Sequence, residues 1–214
     1  MSYLEQIPNI TLLVSSPKRG KSYAIKHMCY DLYESNRIEK IFVFSGTAFN
    51  NDYSFIPSKF LTSEYTDNKL KQIITWQKNR ITNGKAKNIM IIFDDMMNLT
   101  EKLTKPFWRK LISEYRHYKI SLVFSVQYIK GVGPLMRDCA RYVILFKTDS
   151  RLALQSIYDC FMTEMNSIKE VKKFLNTNLK EKYTFILIDR YSNKEDKYRL
   201  LKAPDELPNY KLKY

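Results

Sequence analysis

The sequence predicts an α/β fold of three layers, in which a mostly parallel central sheet is covered by helices on both faces. Short apolar runs suited to strands recur at 10–15, 40–45, 89–94, 120–126, 141–146 and 183–189. Helix-length amphipathic segments lie between most of them, at 21–36, 66–83, 104–118, 150–162 and 166–177. Strands that alternate with helices are joined by right-handed crossovers, which make neighbouring strands parallel. Continuous apolar runs such as 89–94 are typical of strands buried on both faces.

The length of 214 residues is enough for one domain with a full core and short for two. We therefore expect a single domain over 1–214, with a core at about 8–190 and a basic C-terminal tail at about 191–214. The region from Tyr183 onward is expected to form a strand pair around 192–194. The tail after it is expected to be either a docking arm or a frayed end.

The formal net charge of +14 favours polyanionic partners, with nucleic acid ahead of an anionic membrane. No apolar stretch reaches about 18 residues and the first residues lack the pattern of a signal peptide, so we expect a soluble, cytoplasmic protein with no membrane partner. The 3 cysteines are widely spaced and only 2 histidines are present. These counts argue against zinc sites, a disulfide framework and Ser/His triads.

The segment from Ser15 to Ser22 follows the first apolar run and precedes the first helical pattern. Its second half, Gly20-Lys21-Ser22, matches the phosphate-loop pattern G-x-x-x-x-G-K-S/T, in which backbone N–H groups surround the phosphates and the lysine reaches the β and γ oxygens. Ser15 replaces the first glycine, at a modest steric cost if its φ is negative. A chance surface tripeptide is the alternative. The predicted ATP-binding residues are Ser15, Ser16, Pro17, Lys18, Arg19, Gly20, Lys21, Ser22 and Tyr23.

A second motif supports nucleotide binding over the chance tripeptide. The apolar run at 89–94 ends in Asp94 and is followed by Asp95, as expected of a Walker B strand. Asp94 would bind Mg²⁺ together with Ser22, and Asp95 would polarise the attacking water. The alternative is a strand followed by a solvated acidic turn. Because both motifs are present in the usual order, we predict ATP and Mg²⁺ as ligands.

Gln127 follows the strand at 120–126 and is therefore expected at the carboxyl edge of the sheet, where ligands of open α/β sheets bind. A glutamine there can sense the γ-phosphate or water; a hydrogen bond within its own loop is the alternative. The long connection at 46–63 is expected to be functional or mobile.

Four features together resemble those of the viral genome-packaging ATPases of the FtsK/HerA superfamily. They are the phosphate loop after the first strand, Asp94-Asp95, Arg116-His117 before the next strand, and Gln127 at the end of that strand. The likeness is closest to the poxvirus-type branch of large DNA viruses and virophages, and it covers roughly 8–148. It implies a RecA/FtsK-like P-loop NTPase that forms a pentameric or hexameric ring and drives double-stranded DNA into a preformed capsid. It further implies a capsid or portal-vertex partner, and a location in the virus factories of the host cytoplasm and in the virion.

The resemblance also assigns roles by position. Lys21 and Ser22 would hold phosphate and Mg²⁺, Asp94 the metal and Asp95 the water, and Gln127 would sense the nucleotide. Arg116 is the expected arginine finger, supplied to a neighbouring subunit, because a planar permanent cation offsets charge on the transferred phosphoryl group. Arg137 and Arg141 are alternative candidates for the arginine finger, and Arg19 is a candidate for a finger that acts in its own subunit. Lys130 and the connection at 46–63 are candidates for contacts with DNA. Ser15 departs from the usual loop, and Asp95 stands where FtsK-type motors generally carry Glu.

Two other functions are compatible with parts of the sequence. A small P-loop nucleoside or nucleotide kinase has a similar length and an early phosphate loop. It explains the charge poorly, and Arg137, Arg141 and Arg151 only loosely resemble the arginine-rich lid of such kinases. A non-catalytic DNA-binding, capsid-associated protein with a vestigial nucleotide site is the other alternative, and the intact Gly20-Lys21-Ser22 and Asp94-Asp95 argue against it.

Overall fold

The computed structural model describes residues 4–16, 19–48, 52–95, 103–206 and 209–214. Within these ranges eight strands form one sheet in the order β3-β2-β4-β5-β1-β6-β7-β8. The strands are β1 (Ile10–Val14), β2 (Lys40–Ser45), β3 (Leu61–Thr62), β4 (Ile89–Asp94), β5 (Ile120–Val126), β6 (Tyr142–Leu145), β7 (Thr184–Asp189) and β8 (Tyr198–Lys202).

The strands β3, β2, β4, β5, β1 and β6 are parallel to one another, whereas β7 is antiparallel to β6 and to β8. The carboxyl ends of the parallel strands therefore meet at one edge of the sheet, which we call the carboxyl edge; the opposite edge is the amino edge. In register, Val14 of β1 lies beside Val126 of β5, and Asp94 of β4 lies beside Ser125. Since β5 separates β1 from β4, residues that follow β5 lie between those that follow the other two strands.

Six helices are described: α1 (Lys21–Glu34), α2 (Asp67–Thr82), α3 (Pro106–Glu114), α4 (Pro134–Cys139), α5 (Arg151–Phe161) and α6 (Ile168–Asn178). The hydroxyl groups of Thr66, Ser150 and Ser167 accept hydrogen bonds from N–H groups in the first turns of α2, α5 and α6. Such caps satisfy donors that have no partner within the helix. Proline opens α3 and α4, where its missing N–H costs nothing. No helix in the described ranges combines the length and apolar character that crossing a bilayer requires.

The core forms two layers, one on each face of the sheet. Along β4, Ile91 and Phe93 belong to one layer, while Met90 and Ile92 belong to the other. The first layer includes Trp108 of α3, which is fully buried. The second includes the inner face of α1 and also Phe55. Each central strand is thus apolar on both sides, which confirms the three-layer fold and explains why the runs in the sequence do not alternate.

Most element boundaries fall within a few residues of the sequence prediction, and the strand pair around 192–194 is confirmed as β7 and β8. The prediction missed the two-residue strand β3 and the short helix α4. Helix α3 is shorter than the predicted 104–118: it begins at Pro106 and ends at Glu114. The chain then turns through a positive φ of 53° at Lys119 before β5 begins.

The expectation of a docking arm or a frayed end is wrong for the described C-terminal segment, 209–214, which packs on the domain itself. Leu212 is 3% exposed and its N–H donates to the carbonyl oxygen of Phe55 at 2.9 Å. The hydroxyl of Tyr210 donates to the carbonyl oxygen of Lys26 at 2.7 Å, and that of Tyr214 accepts from the N–H of Ile41 at 2.9 Å. The alternating apolar residues at 210, 212 and 214 are the sequence signal for this contact, and the basic residues between them obscured it.

Candidate functional site

The segment after β1 begins with a buried serine. The N–H of Ser15 donates to the carbonyl oxygen of Val126 at 3.1 Å, which ties the segment to β5. Ser16 forms a hydrogen bond with Thr148 at 3.3 Å between their hydroxyl oxygens. Ser15 is not among the described non-glycine residues that have a positive φ, so its side chain fits without backbone strain. Pro17 and Lys18 lie outside the described residues.

Gly20 is the residue in this segment whose backbone requires glycine. Its φ of 89° lies in the left-handed region, and it caps the N-terminus of α1. Lys21 and Ser22 are the first two residues of that helix, and Tyr23 is the third. The first N–H groups of a helix have no partner within it and carry a partial positive charge, so this terminus suits an anion such as phosphate. The first turn of α1 contains no acidic residue that would oppose one.

Asp94, at the carboxyl end of β4, meets the first residue of α1. Its side chain is buried, and the Nζ atom of Lys21 lies 3.5 Å from its Oδ1 atom. The hydroxyl of Tyr53 donates to the Oδ2 atom at 2.7 Å. Burial, and after it the charge of Asp94, raises the pKa of Tyr53 well above its ordinary value, so this hydroxyl stays protonated and acts as a donor. The sequence predicted that Asp94 would share a site with the start of α1, but it did not predict the contact with Tyr53.

The residues around Asp94 fit a magnesium ion. The Oδ1 atom is buried and accepts no hydrogen bond, and the hydroxyl-bearing Ser22 follows Lys21 in the first turn of α1. Carboxylate and hydroxyl oxygens are ligands that Mg²⁺ prefers, and the ion is commonly held by one or two carboxylates together with the phosphates of a nucleotide. The described residues contain no cluster of three or more His, Cys, Asp or Glu that could hold a metal ion.

Asp95 and Gln127 form a second polar pair at the same edge. The Nε2 atom of Gln127 donates to the Oδ1 atom of Asp95 at 3.2 Å. Because β5 lies between β1 and β4, Gln127 emerges between the phosphate-loop segment and the two carboxylates. Asp95 has a φ of 53°, in the left-handed region that costs a non-glycine residue free energy. Such backbone conformations are concentrated at functional sites, where the surrounding structure maintains them.

The four candidate arginines differ in their positions and partners. Arg19 lies beside the phosphate-loop glycine and pairs with Asp149 at 3.8 Å, with both side chains exposed. Arg137 donates to the carbonyl oxygen of Val132 at 2.7 Å. Arg141 immediately precedes β6, at the amino edge, and pairs with the buried carboxylate of Asp189 at 3.1 Å.

Arg116 also lies at the amino edge, in the turn between α3 and β5. Its side chain is exposed, and its Nε atom donates to the hydroxyl of Tyr115 at 2.9 Å. Within the described part of the chain, no carboxylate forms an ion pair with it. Strand β5 spans 7 residues, so about 20 Å separates Arg116 from the phosphate-loop edge of its own chain. The structure therefore does not bring Arg116 to the phosphate loop of its own chain.

The candidates for contacts with DNA have different environments. Lys130 is exposed in a short 3-10 turn, Ile129–Gly131, that follows β5 at the carboxyl edge. In the connection at 46–63, residues 49–51 lie outside the described residues, and Tyr53, Phe55 and Ile56 are buried. The connection was expected to be functional or mobile; at these three positions the expectation of a mobile segment is wrong, because their side chains pack into the domain.

A cavity of about 390 Å³ adjoins the phosphate loop at Arg19 and Gly20. Its wall includes Gly20, Leu179, Tyr183 and four basic residues, Arg19, Lys147, Lys180 and Lys182. The ring of Tyr183 stacks on that of Tyr23 with 4.3 Å between the centroids. Sequence reasoning missed this cavity, because Tyr183 follows the predicted loop by more than 150 positions and no local motif marks it.

In this protein a Gly-Lys-Ser turn follows β1 and opens a helix. The lysine lies beside a buried carboxylate at the end of β4, a parallel strand that one other strand separates from β1. These features define the class of the protein. The chain is a P-loop ATPase. More particularly, it belongs to the Poxvirus A32 protein family, whose model matches residues 9–211. The resemblance drawn from the motifs is thereby confirmed, and the match extends well past 148 to include β7, β8 and the start of the C-terminal segment.

The chain is also similar to a viral relative and to solved structures. The uncharacterized protein 088R of Invertebrate iridescent virus 3 is 25% identical over 186 residues, which cover 86% of this chain and 70% of the relative. The genome packaging NTPase B204 of Sulfolobus turreted icosahedral virus 2, in complex with ATP-gammaS, has a similar fold, with a TM-score of 0.67, 21% identity and coverage of 92% of this chain and 98% of that one. EssC (ATPases 2 and 3) of Geobacillus thermodenitrificans matches with a TM-score of 0.54 and 12% identity over 90% of this chain and 38% of that one. The two structural matches confirm the predicted fold class.

Proposed function

We propose that this protein is a motor that uses ATP hydrolysis to drive double-stranded DNA into a preformed viral capsid, and that ATP is hydrolysed between the subunits of a ring. The observation that carries the proposal is the meeting of Lys21, Asp94, Asp95 and Gln127 at one edge of the sheet. It occurs in a chain of the Poxvirus A32 family whose fold resembles that of a genome packaging NTPase.

In this proposal the phosphates of ATP bind at the N-terminus of α1, where Gly20 allows the turn and Lys21 moves from Asp94 to the β and γ oxygens. Ser22 and Asp94 would hold Mg²⁺, which would neutralise part of the negative charge of the phosphates. Asp95 accepts a proton from the attacking water, and Gln127, which already donates to Asp95, orients that water. The left-handed backbone at Asp95 is consistent with this role, because such conformations are concentrated at functional sites.

The nucleoside part of ATP would occupy the cavity beside Gly20. Its volume of about 390 Å³ falls in the range of small-molecule sites, and it adjoins the helix that binds the phosphates. The partly exposed ring of Tyr183 offers an aromatic surface to the base, and the lysines around it attract a polyanionic ligand.

The position of Arg116 supports hydrolysis between subunits. The guanidinium group is exposed at the amino edge, away from its own phosphate loop, so it can complete a site only in another subunit. A ring in which the amino edge of one subunit faces the carboxyl edge of the next supplies this group to each site in turn. The ring, the capsid or portal vertex as its docking partner, and a location in the virus factory and the virion are parts of this proposal.

The formal net charge of +14 supports double-stranded DNA as the polymer that is moved. A motor that acts on any genome sequence binds the phosphate backbone, chiefly through Lys and Arg side chains, and needs few contacts with bases. Lys130 is our candidate because it follows Gln127 by three positions and is exposed. A shift of Gln127 on hydrolysis would therefore be transmitted to Lys130 through a short segment.

The proposal is tested by measuring ATP hydrolysis with and without double-stranded DNA while the oligomer size is followed in the same samples. We expect hydrolysis that rises with assembly, is stimulated by DNA and falls to background in Lys21→Ala. Stimulation that disappears as salt is raised would identify phosphate contacts. Hydrolysis by the native protein that is indifferent to DNA at every salt concentration would contradict a DNA motor, and transfer of phosphate to a small acceptor would identify a kinase instead.

The Lys130→Glu variant is expected to lose most of the DNA stimulation and to keep its hydrolysis rate without DNA, because the change reverses a charge at the DNA surface but leaves the phosphate loop intact. The matched control is Lys85→Glu, which makes the same charge change at an exposed lysine before β4, at the amino edge. Equal losses with and without DNA in Lys130→Glu, or equal loss of stimulation in both variants, would rule out Lys130 as a DNA contact.

A further inference from the structure

We propose that Tyr53 is a positioning residue for the metal-binding carboxylate: it holds one oxygen of Asp94 so that the other faces the phosphate loop. The C-terminal segment, 209–214, stabilises the part of the chain that carries Tyr53. This inference rests on the proposed function, because it concerns the metal–nucleotide complex that Asp94 and Ser22 would bind.

The two oxygens of Asp94 have different environments. Oδ2 accepts the hydroxyl of Tyr53 at 2.7 Å, whereas Oδ1 accepts no hydrogen bond and lies 3.5 Å from the Nζ atom of Lys21. The carboxylate group of an aspartate can rotate about its Cβ–Cγ bond, so either oxygen can face the same ligand. The hydrogen bond from Tyr53 removes that freedom and leaves Oδ1, on the side of the phosphate loop, as the free acceptor. Partners of this kind fix the orientation of metal ligands in many sites.

Tyr53 is itself held firmly. It is 1% exposed and lies in the core layer formed with the inner face of α1, which includes Ile25 and Met28. The N–H of Ile56 donates to the carbonyl oxygen of Tyr53 at 2.9 Å, which closes a turn around it. The side chain is therefore packed between the helix that starts at the phosphate loop and the strand that ends at Asp94, with its hydroxyl at the boundary between core and site.

The C-terminal segment covers the same turn from outside. The N–H of Leu212 donates to the carbonyl oxygen of Phe55, and the ring of Tyr210 lies 5.1 Å from that of Phe55 between centroids. The hydroxyl of Tyr210 also donates to the carbonyl oxygen of Lys26 in α1. The turn that carries Tyr53 is thus enclosed by α1 and the C-terminal segment, and a loss of packing at 209–214 is transmitted to Asp94 through Tyr53.

The test compares Tyr53→Phe, which removes only the hydroxyl, with Tyr65→Phe. Tyr65 is a matched control because it is also a buried tyrosine whose hydroxyl donates to a carboxylate at 2.7 Å, that of Asp67, and it belongs to the core layer on the other face of the sheet. The affinity for ATPγS, a slowly hydrolysed analogue, is measured by calorimetry in EDTA and along a Mg²⁺ titration. Neither measurement depends on turnover.

We expect Tyr53→Phe to raise the half-saturating Mg²⁺ concentration by about 10- to 100-fold, the usual effect of removing a partner of a metal ligand. Its affinity in EDTA should stay equal to that of the native protein, and Tyr65→Phe should match the native protein in both conditions. As a second variant, Leu212→Ala loosens the C-terminal segment far from the nucleotide, and we expect a smaller rise in the same direction with unchanged affinity in EDTA.

An unchanged or lowered half-saturating Mg²⁺ concentration in Tyr53→Phe would overturn the positioning role. A fall in affinity of the same size with and without Mg²⁺ would overturn it too, because it would show a general disturbance of the pocket. Both results leave the proposed function standing, since the native protein still binds nucleotide with metal. Absence of Mg²⁺-dependent binding in the native protein would overturn the proposed function together with this inference.

Discussion

Replacing Arg116 with alanine is expected to lower ATP hydrolysis by the assembled protein by about 10³- to 10⁵-fold, the range in which arginine fingers act. The expected loss is in kcat, because the guanidinium group stabilises charge that develops on the phosphoryl group only in the transition state. Binding of ATPγS should change little. Arg109→Ala is the matched control, since Arg109 is an exposed arginine in the preceding helix, α3, and we expect it to retain native hydrolysis.

The preference for Arg116 over the other candidates comes from what each guanidinium group already contacts. Arg141 pairs with a carboxylate that is almost fully buried, and removing that partner would leave Asp189 without its counter-ion. Arg137 is engaged by a backbone carbonyl. Arg116 donates a hydrogen bond to the hydroxyl of Tyr115. This bond raises the pKa of the Arg116 guanidinium group and orients the group, while the Arg116 side chain stays exposed at the surface. An oriented, exposed and permanently charged group is what a site in a second subunit requires.

Mixing two inactive variants distinguishes a finger that acts between subunits from one that acts within a subunit. In rings made from Lys21→Ala and Arg116→Ala protein, some interfaces contain an intact Lys21 from one subunit and an intact Arg116 from the next. We therefore expect hydrolysis to return on mixing. Mixing Lys21→Ala with Arg19→Ala should restore nothing if Arg19 acts in its own subunit, because both defects then affect the same half of the site. Failure of the Arg116 mixture to regain hydrolysis would rule out the role between subunits.

The parts of the site that follow strands were predictable from the sequence. Asp94 and Gln127 each follow an apolar run, and parallel strands bring the residues at their carboxyl ends to one edge whatever the strand order. The helix start at Lys21 was predictable for the same reason, because the turn chemistry of Gly20 and the helical pattern after it are local. The strand order itself was not. That β5 lies between β1 and β4, and so brings Gln127 to Asp95, depends on how the whole sheet packs.

Contacts made by side chains in connections were the least predictable. Tyr53 is separated from Asp94 by 41 positions and lies in a polar segment, where a tyrosine is equally compatible with an exposed position. Tyr183 reaches the cavity beside the phosphate loop, and the C-terminal segment reaches the turn that carries Tyr53, through even longer separations. No periodicity or local motif encodes such contacts, because they depend on which apolar surface remains uncovered once the sheet and helices have formed. The net charge of the tail is a local feature, and it indicated that the tail is exposed. The C-terminal segment instead packs on the domain, with Leu212 buried.

The Asp95→Asn variant is expected to lower kcat by about 10²- to 10⁴-fold, the usual contribution of a general base, without a comparable loss of affinity for ATPγS. Asparagine keeps the shape of the side chain and tolerates the left-handed backbone at this position, so the fold should be unaffected. The matched control, Asp138→Asn, makes the same change at an exposed carboxylate in α4 and should retain native kcat. Native kcat in Asp95→Asn would place water activation elsewhere.

Since Gln127 donates directly to Asp95, the two side chains should act as a unit on the attacking water. Gln127→Ala alone should lower kcat, and the double variant should then lose no more than Asp95→Asn alone, because residues that act together on one step have non-additive effects. Losses that add in full would show that Gln127 acts on a different step, such as coupling of the γ-phosphate to the segment that carries Lys130. The double-variant cycle therefore decides whether the glutamine at the end of β5 serves the chemical step or its transmission to DNA.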